Sequence, residues 1–85
     1  MYQVVFSSKA EKSFKHLPKE YQIKIKNKIL EFETEPLING TIKLTGFPYA
    51  DYRHRVGDYR ILFSLDKDKK IIYLFDIKRR TSTTY

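Results

Sequence analysis

The run from Tyr52 to Phe63, YRHRVGDYRILF, constrains this chain more than any other stretch. It alternates, turns within two residues, and alternates again. Tyr52 to Val56 and Tyr59 to Phe63 read as strands, and Gly57-Asp58 reads as a two-residue hairpin loop. Glycine at the first loop position suits a type II′ turn. The register then follows by counting. Val56 faces Tyr59, Arg55 faces Arg60, His54 faces Ile61, Arg53 faces Leu62, and Tyr52 faces Phe63. One surface carries Tyr52, His54, Val56, Tyr59, Ile61 and Phe63. The other carries Arg53, Arg55, Arg60 and Leu62. Two arginines directly opposite one another repel, which works against the hairpin. An anion on that surface would relieve the repulsion.

The remaining sequence supplies elements to support such a hairpin. Tyr2, Val4 and Phe6 alternate with Gln3, Val5 and Ser7, as in a short strand with one apolar face. Ser8 and Glu11 stand at the spacing of a capping box, predicting a helix that starts at Ser8 and buries Ala10, Phe14 and Leu17. Pro18 breaks that helix and suits the first turn of the next. A second helix is predicted from about Pro18 to Thr34, with Tyr21, Ile25, Ile29 and Phe32 as its stripe and Ile23 and Leu30 flanking. Pro36 ends it. Leu37 to Ala50 reads as connector, with Ile42-Lys43-Leu44 a short extended piece pinned to the core. Ile71 to Ile77 is apolar on both faces over most of its length, as expected of a central strand.

This order predicts an α+β domain over residues 1–85. It has an N-terminal strand, an antiparallel two-helix hairpin and a three-stranded antiparallel meander, with the helices on one face of a four-stranded antiparallel sheet. If Leu65 pairs with Ile71, Arg60 lies opposite Asp76 and forms an ion pair with it. A four-residue turn shifts that register by one and reverses the facing.

Several chemistries find no residues to carry them. The chain has no cysteine, so disulfides and thiolate metal sites are excluded. It has two histidines, His16 and His54, and neither has metal-ligand spacing with carboxylates. Neither a P-loop nor a dinucleotide-binding glycine motif is present, and no cofactor is expected. His54 lies between two arginines, in the place of a general base, but alternation puts it on the core side, where packing is the favoured role. The longest apolar run, Ile71 to Phe75, is too short to span a membrane, and the first residues lack the features of a signal peptide. These features and the missing cysteine fit a cytoplasmic protein. Seventeen Lys and Arg against ten Asp and Glu leave a net charge of +7. That excess favours a polyanionic partner, either nucleic acid or an acidic protein. Guanidinium groups at Arg53, Arg55, Arg60 and Arg79 can hold a phosphodiester bidentately and stabilise charge in a phosphoryl transition state. A tyrosine such as Tyr85 can stack on a base.

Together these residues resemble a known family. Lys43-Leu44-x-Gly46, then Tyr52-Arg53-x-Arg55-Val56-Gly57-Asp58-Tyr59-Arg60-Ile61, then Lys78-Arg79 with a later tyrosine, resemble the RelE/ParE toxin superfamily. Val5-Phe6-Ser7 and Phe14-Lys15-x-Leu17-Pro18 resemble the start of those toxins. The resemblance implies the toxin of a type II toxin–antitoxin system. In its RelE branch this is a ribosome-dependent mRNA endonuclease, cutting in the A site by attack of the 2′-OH on the adjacent phosphate without a metal. It implies an acidic RelB-like antitoxin that joins the toxin in a hetero-oligomer, with the ribosome and mRNA as further partners. By position, Arg60 and Arg79 would hold the scissile phosphate, Arg53 or Arg55 would orient the 2′-OH, and Tyr85 would stack on a base. Arg80 is adjacent to Arg79 and can take its place. Two alternatives stay open: a ParE-type DNA gyrase poison, whose branch generally lacks the nuclease arginines, and a basic RNA-binding module without catalysis.

Overall fold

The computed structural model describes residues 1–79. Strand β1 (Gln3–Phe6) leads into helix α1 (Ser8–Lys15) and helix α2 (Lys19–Thr34). Strands β2 (Thr41–Lys43), β3 (Tyr52–Val56), β4 (Tyr59–Asp66) and β5 (Ile71–Arg79) follow. The expected sheet of four strands has five, in the order β1-β5-β4-β3-β2. The added strand is Thr41–Lys43, which pairs with the outer side of β3. Its Ile42 faces Arg53 and is half exposed, so it lies on the solvent side of the sheet rather than pinning the loop to the core. Pairing is antiparallel except where β1 lies parallel to β5, with Val4 opposite Ile72 and Phe6 opposite Leu74. Flanked on both sides, β5 is central near its start, which explains its apolar residues on both faces.

The hairpin register holds at each of the five pairs from Tyr52–Phe63 to Val56–Tyr59. Both helices close one face of the sheet. Ala10, Leu17, Ile25, Ile29 and Phe32 meet Ile61, Phe63, Ile72, Leu74 and Ile77 in one buried cluster. Phe32 and Phe63 are in ring contact at 4.9 Å. Ile23 and Leu30 are exposed, because they sit outside the stripe of α2 that meets the sheet.

The N-cap of α1 is Ser7, one residue earlier than the capping box predicts. Its hydroxyl accepts from Ala10 N at 2.9 Å and donates to the Phe75 carbonyl on β5. That tertiary contact makes Ser7 the better cap. Glu11 is left to an exposed ion pair with Lys15 at 3.3 Å. The amide of Gln22 on α2 donates to the Phe14 carbonyl at 3.1 Å, which also accepts from Leu17 N at 3.1 Å, and so ties the start of α2 to the end of α1. Helix α2 ends at Glu35, whose extended backbone is the conformation required before Pro36. Among the described residues, no helix is long and apolar enough to cross a membrane.

Candidate functional site

The β3–β4 turn sets the site. Gly57 has φ +58, while Asp58 is not among the residues of positive φ, as a type II′ turn requires. The turn rests on α2. Tyr21 Oη accepts from Asp58 N at 3.2 Å, and the Tyr21 and Tyr59 rings lie 4.7 Å apart. A Cβ on Gly57 would come within 2.5 Å of Tyr21 Oη, so both conformation and space demand glycine there. Arg55 Nε donates to the Gly57 carbonyl at 2.9 Å, which ties this side chain to the turn.

From that turn the cations spread over the face of the sheet away from the helices. Arg55 stands opposite Arg60, and Arg60 in turn opposite Lys78. Arg53 lies between Ile42 and Leu62 on the same face. Gly40, Ile42, Arg53, Arg55 and Arg60 line one concavity of about 190 Å³. Three of the predicted site residues are therefore together. Arg79 is placed opposite Tyr59, at the exposed end of β5 and by alternation toward the helix side. Tyr85 and Arg80 lie outside the described residues.

The cation that sequence reasoning missed is Lys78, and the reason is a bulge. Pairs run from Asp66–Ile71 to Phe63–Leu74, then resume at Leu62–Asp76, so Phe75 is the extra residue. Without it Lys78 would face Tyr59, and Ile77 would face Arg60. Helix α1 and its N-cap hold the bulge through two serines. Ser7 Oγ donates to the Phe75 carbonyl, and Ser13 Oγ donates to Asp76 Oδ1 at 2.6 Å. Asp76 also accepts from Ile77 N at 2.8 Å and is buried. The expected Arg60–Asp76 pairing is thus replaced. The four-residue turn moves the register once, the bulge moves it again, and Asp76 pairs with Leu62 instead of Arg60 while its carboxylate is bound by Ser13. No pattern of residue types announces that bulge.

His54 is buried on the helix side, as alternation predicts. Its Nδ1 is 3.0 Å from Thr41 Oγ1, and Phe32 meets its ring edge to face at 5.4 Å. Burial lowers its pKa below the ordinary histidine value of 6.5, the nearby Lys28 ammonium adds to this, and Glu31 opposes it. It stays neutral at physiological pH and does not reach the arginine face. Among the described residues, no group of three His, Asp or Glu side chains is placed to hold a metal ion.

Residues 4–83 match the family described as ParE toxin of type II toxin–antitoxin system, parDE. The chain belongs to this family, within the RelE/ParE toxin superfamily. It is therefore read as a type II toxin. Its fold is that of solved RelE proteins. It is similar to the archaeal protein in the RelE–RelB complex from Pyrococcus horikoshii, with 30% identity, a TM-score of 0.83, and 96% of this chain and 98% of that one covered. It also matches the isolated E. coli RelE toxin, with 21% identity and a TM-score of 0.81 over 98% of this chain and 88% of that one. A third match is the RelBE2 complex of Mycobacterium tuberculosis, with 21% identity, a TM-score of 0.81, and 93% and 98% covered. Curated proteins yield no match.

Proposed function

We propose that this toxin is a RelE-type endoribonuclease of the cytoplasm that cuts mRNA in the ribosomal A site and is silenced by an acidic antitoxin. The observation that carries this reading is the Arg53, Arg55 and Arg60 concavity with Lys78 beside it. Converging cations of this kind match a scissile phosphodiester. Attack by the 2′-OH expels the 5′-oxygen of the next nucleotide and leaves a 2′,3′-cyclic phosphate. Negative charge builds on the phosphorus oxygens along the way, and fixed guanidinium groups stabilise it. With His54 buried, no imidazole stands on this face to take the 2′-OH proton. Arginine holds its proton beyond about pH 12, so these side chains are assigned to binding and charge stabilisation rather than to base catalysis. The antitoxin is inferred from the RelB complexes among the structural relatives and from the net charge of +7.

The test is a translating extract to which purified toxin is added, with mRNA ends mapped by primer extension. Cuts at fixed positions within codons are expected. Arg60→Ala, folded as judged by circular dichroism, should cut roughly 100- to 1,000-fold more slowly. Normal cutting by that variant would place the site elsewhere. The match to the ParE description favours a second reading, a gyrase poison. Inhibition of gyrase supercoiling with no mRNA cleavage would establish it over the first.

A further inference from the structure

Beside the arginine concavity lies a second one of about 280 Å³, lined by Leu44, Thr45, Gly46, Phe47, Leu62 and Lys78. The two share a surface. Leu62 pairs with Arg53, and Lys78 pairs with Arg60. Its character is different, however. Leu44 and Leu62 bring aliphatic carbon to its lining. Phe47 brings an aromatic ring, met edge-on by Phe75 at 6.0 Å and by Tyr49 at 5.8 Å. Tyr49 and Phe75 stack on each other at 5.3 Å, so the Phe47 ring has a built support. Nothing lies within 4 Å of where a Gly46 Cβ would stand, so that side of the concavity is open. Its volume falls just below the ~300–1,000 Å³ of drug-sized ligand sites. An aromatic ring and aliphatic carbon lining one concavity together with a lysine are the setting in which a base stacks while its phosphate stays with the cations.

We propose that this concavity is a nucleobase subsite, receiving a base next to the phosphate held by Arg53, Arg55 and Arg60. The inference rests on the RNA reading above. Charge complementarity with those neighbouring cations is what selects a nucleotide over an apolar side chain as the occupant. The bound base stacks on Phe47 against Leu44 and Leu62, and its phosphate faces Lys78 and Arg60.

The full chain, labelled at leucine methyls, can be titrated with a ribonucleoside 5′-monophosphate, with ribose 5-phosphate, and with N-acetylleucinamide. The nucleotide should shift the Leu44 and Leu62 methyls, and ribose 5-phosphate should leave them in place. Phe47→Ala should weaken nucleotide binding about fivefold or more, and Phe47→Trp should retain it. Methyl spectra of both variants report their folding directly. Equal shifts from ribose 5-phosphate would overturn the proposal, because phosphate alone would account for them. So would shifts from N-acetylleucinamide alone, which would make the concavity a peptide site, or unchanged affinity in Phe47→Ala. This readout requires no cleavage. A toxin that cuts no mRNA but binds the nucleotide here would refute the endonuclease reading and leave the subsite standing.

Discussion

Arg55 and Arg60 stand directly opposite each other on the exposed face of the β3–β4 hairpin. Like charges in that position destabilise a sheet by a few tenths of a kcal/mol to about 1 kcal/mol. A bound polyanion removes the repulsion and adds charge-assisted hydrogen bonds. Sulfate or phosphate should therefore raise the melting temperature beyond what sodium chloride of equal ionic strength does. In Arg55→Gln, scanning calorimetry should show a smaller gain. An equal gain would place anion binding away from this pair.

The Ser13–Asp76 contact holds the bulge that turns Lys78 toward Arg60. Ser13→Ala leaves a buried carboxylate one donor short, a change that costs about 1–3 kcal/mol. Urea unfolding should show that loss. Cleavage at a temperature where the variant is fully folded should also fall, because Lys78 is then held less firmly. A stability loss with unchanged cleavage would reduce the contact to a packing role.

Gly57 and Tyr21 meet at the hairpin tip. Gly57→Ala puts a Cβ at φ +58 and against the Tyr21 hydroxyl, and should destabilise by about 1–3 kcal/mol. Tyr21→Phe loses the 3.2 Å bond from Asp58 N, worth about 1 kcal/mol. The two changes share one contact, so the double variant should lose less than the sum of the singles. Additive losses by chemical denaturation would mean that the Tyr21 hydroxyl does not limit the turn.

His54 predicts a pH dependence of stability. Its folded pKa is lowered, with burial the largest cause, so between that value and 6.5 the unfolded chain binds more protons. The neutral imidazole's contribution is complete above about pH 6.5 and is lost as pH falls toward the folded value. Gln at this position keeps a hydrogen-bonding group near Thr41 but does not titrate. His54→Gln should flatten the stability profile over that acid window. An unchanged slope would assign it to other groups.

Much of this site was legible in the residues alone. The two-residue turn and the strict alternation determine the hairpin register, and the register separates His54 from Arg53, Arg55 and Arg60. Those are local relationships, set by the period of a strand and the φ demanded of Gly57. The helix stripes were legible for the same reason, although the cap moved to Ser7 once β5 offered it a second hydrogen bond.

Long-range pairing was not legible. Thr41–Lys43 is too short to declare itself a strand, and becomes one only because β3 presents an open edge. The pairing of β1 with β5 joins the two ends of the described chain, a contact that no local pattern encodes. By itself, the sequence determined a hairpin with one core face and one anion-seeking face, and the family resemblance that goes with it. Tertiary structure alone decided which cation completes that face. One extra residue in β5, braced by Ser7 at the cap of α1 and Ser13 within it, reverses the facing of everything after it and brings Lys78 opposite Arg60.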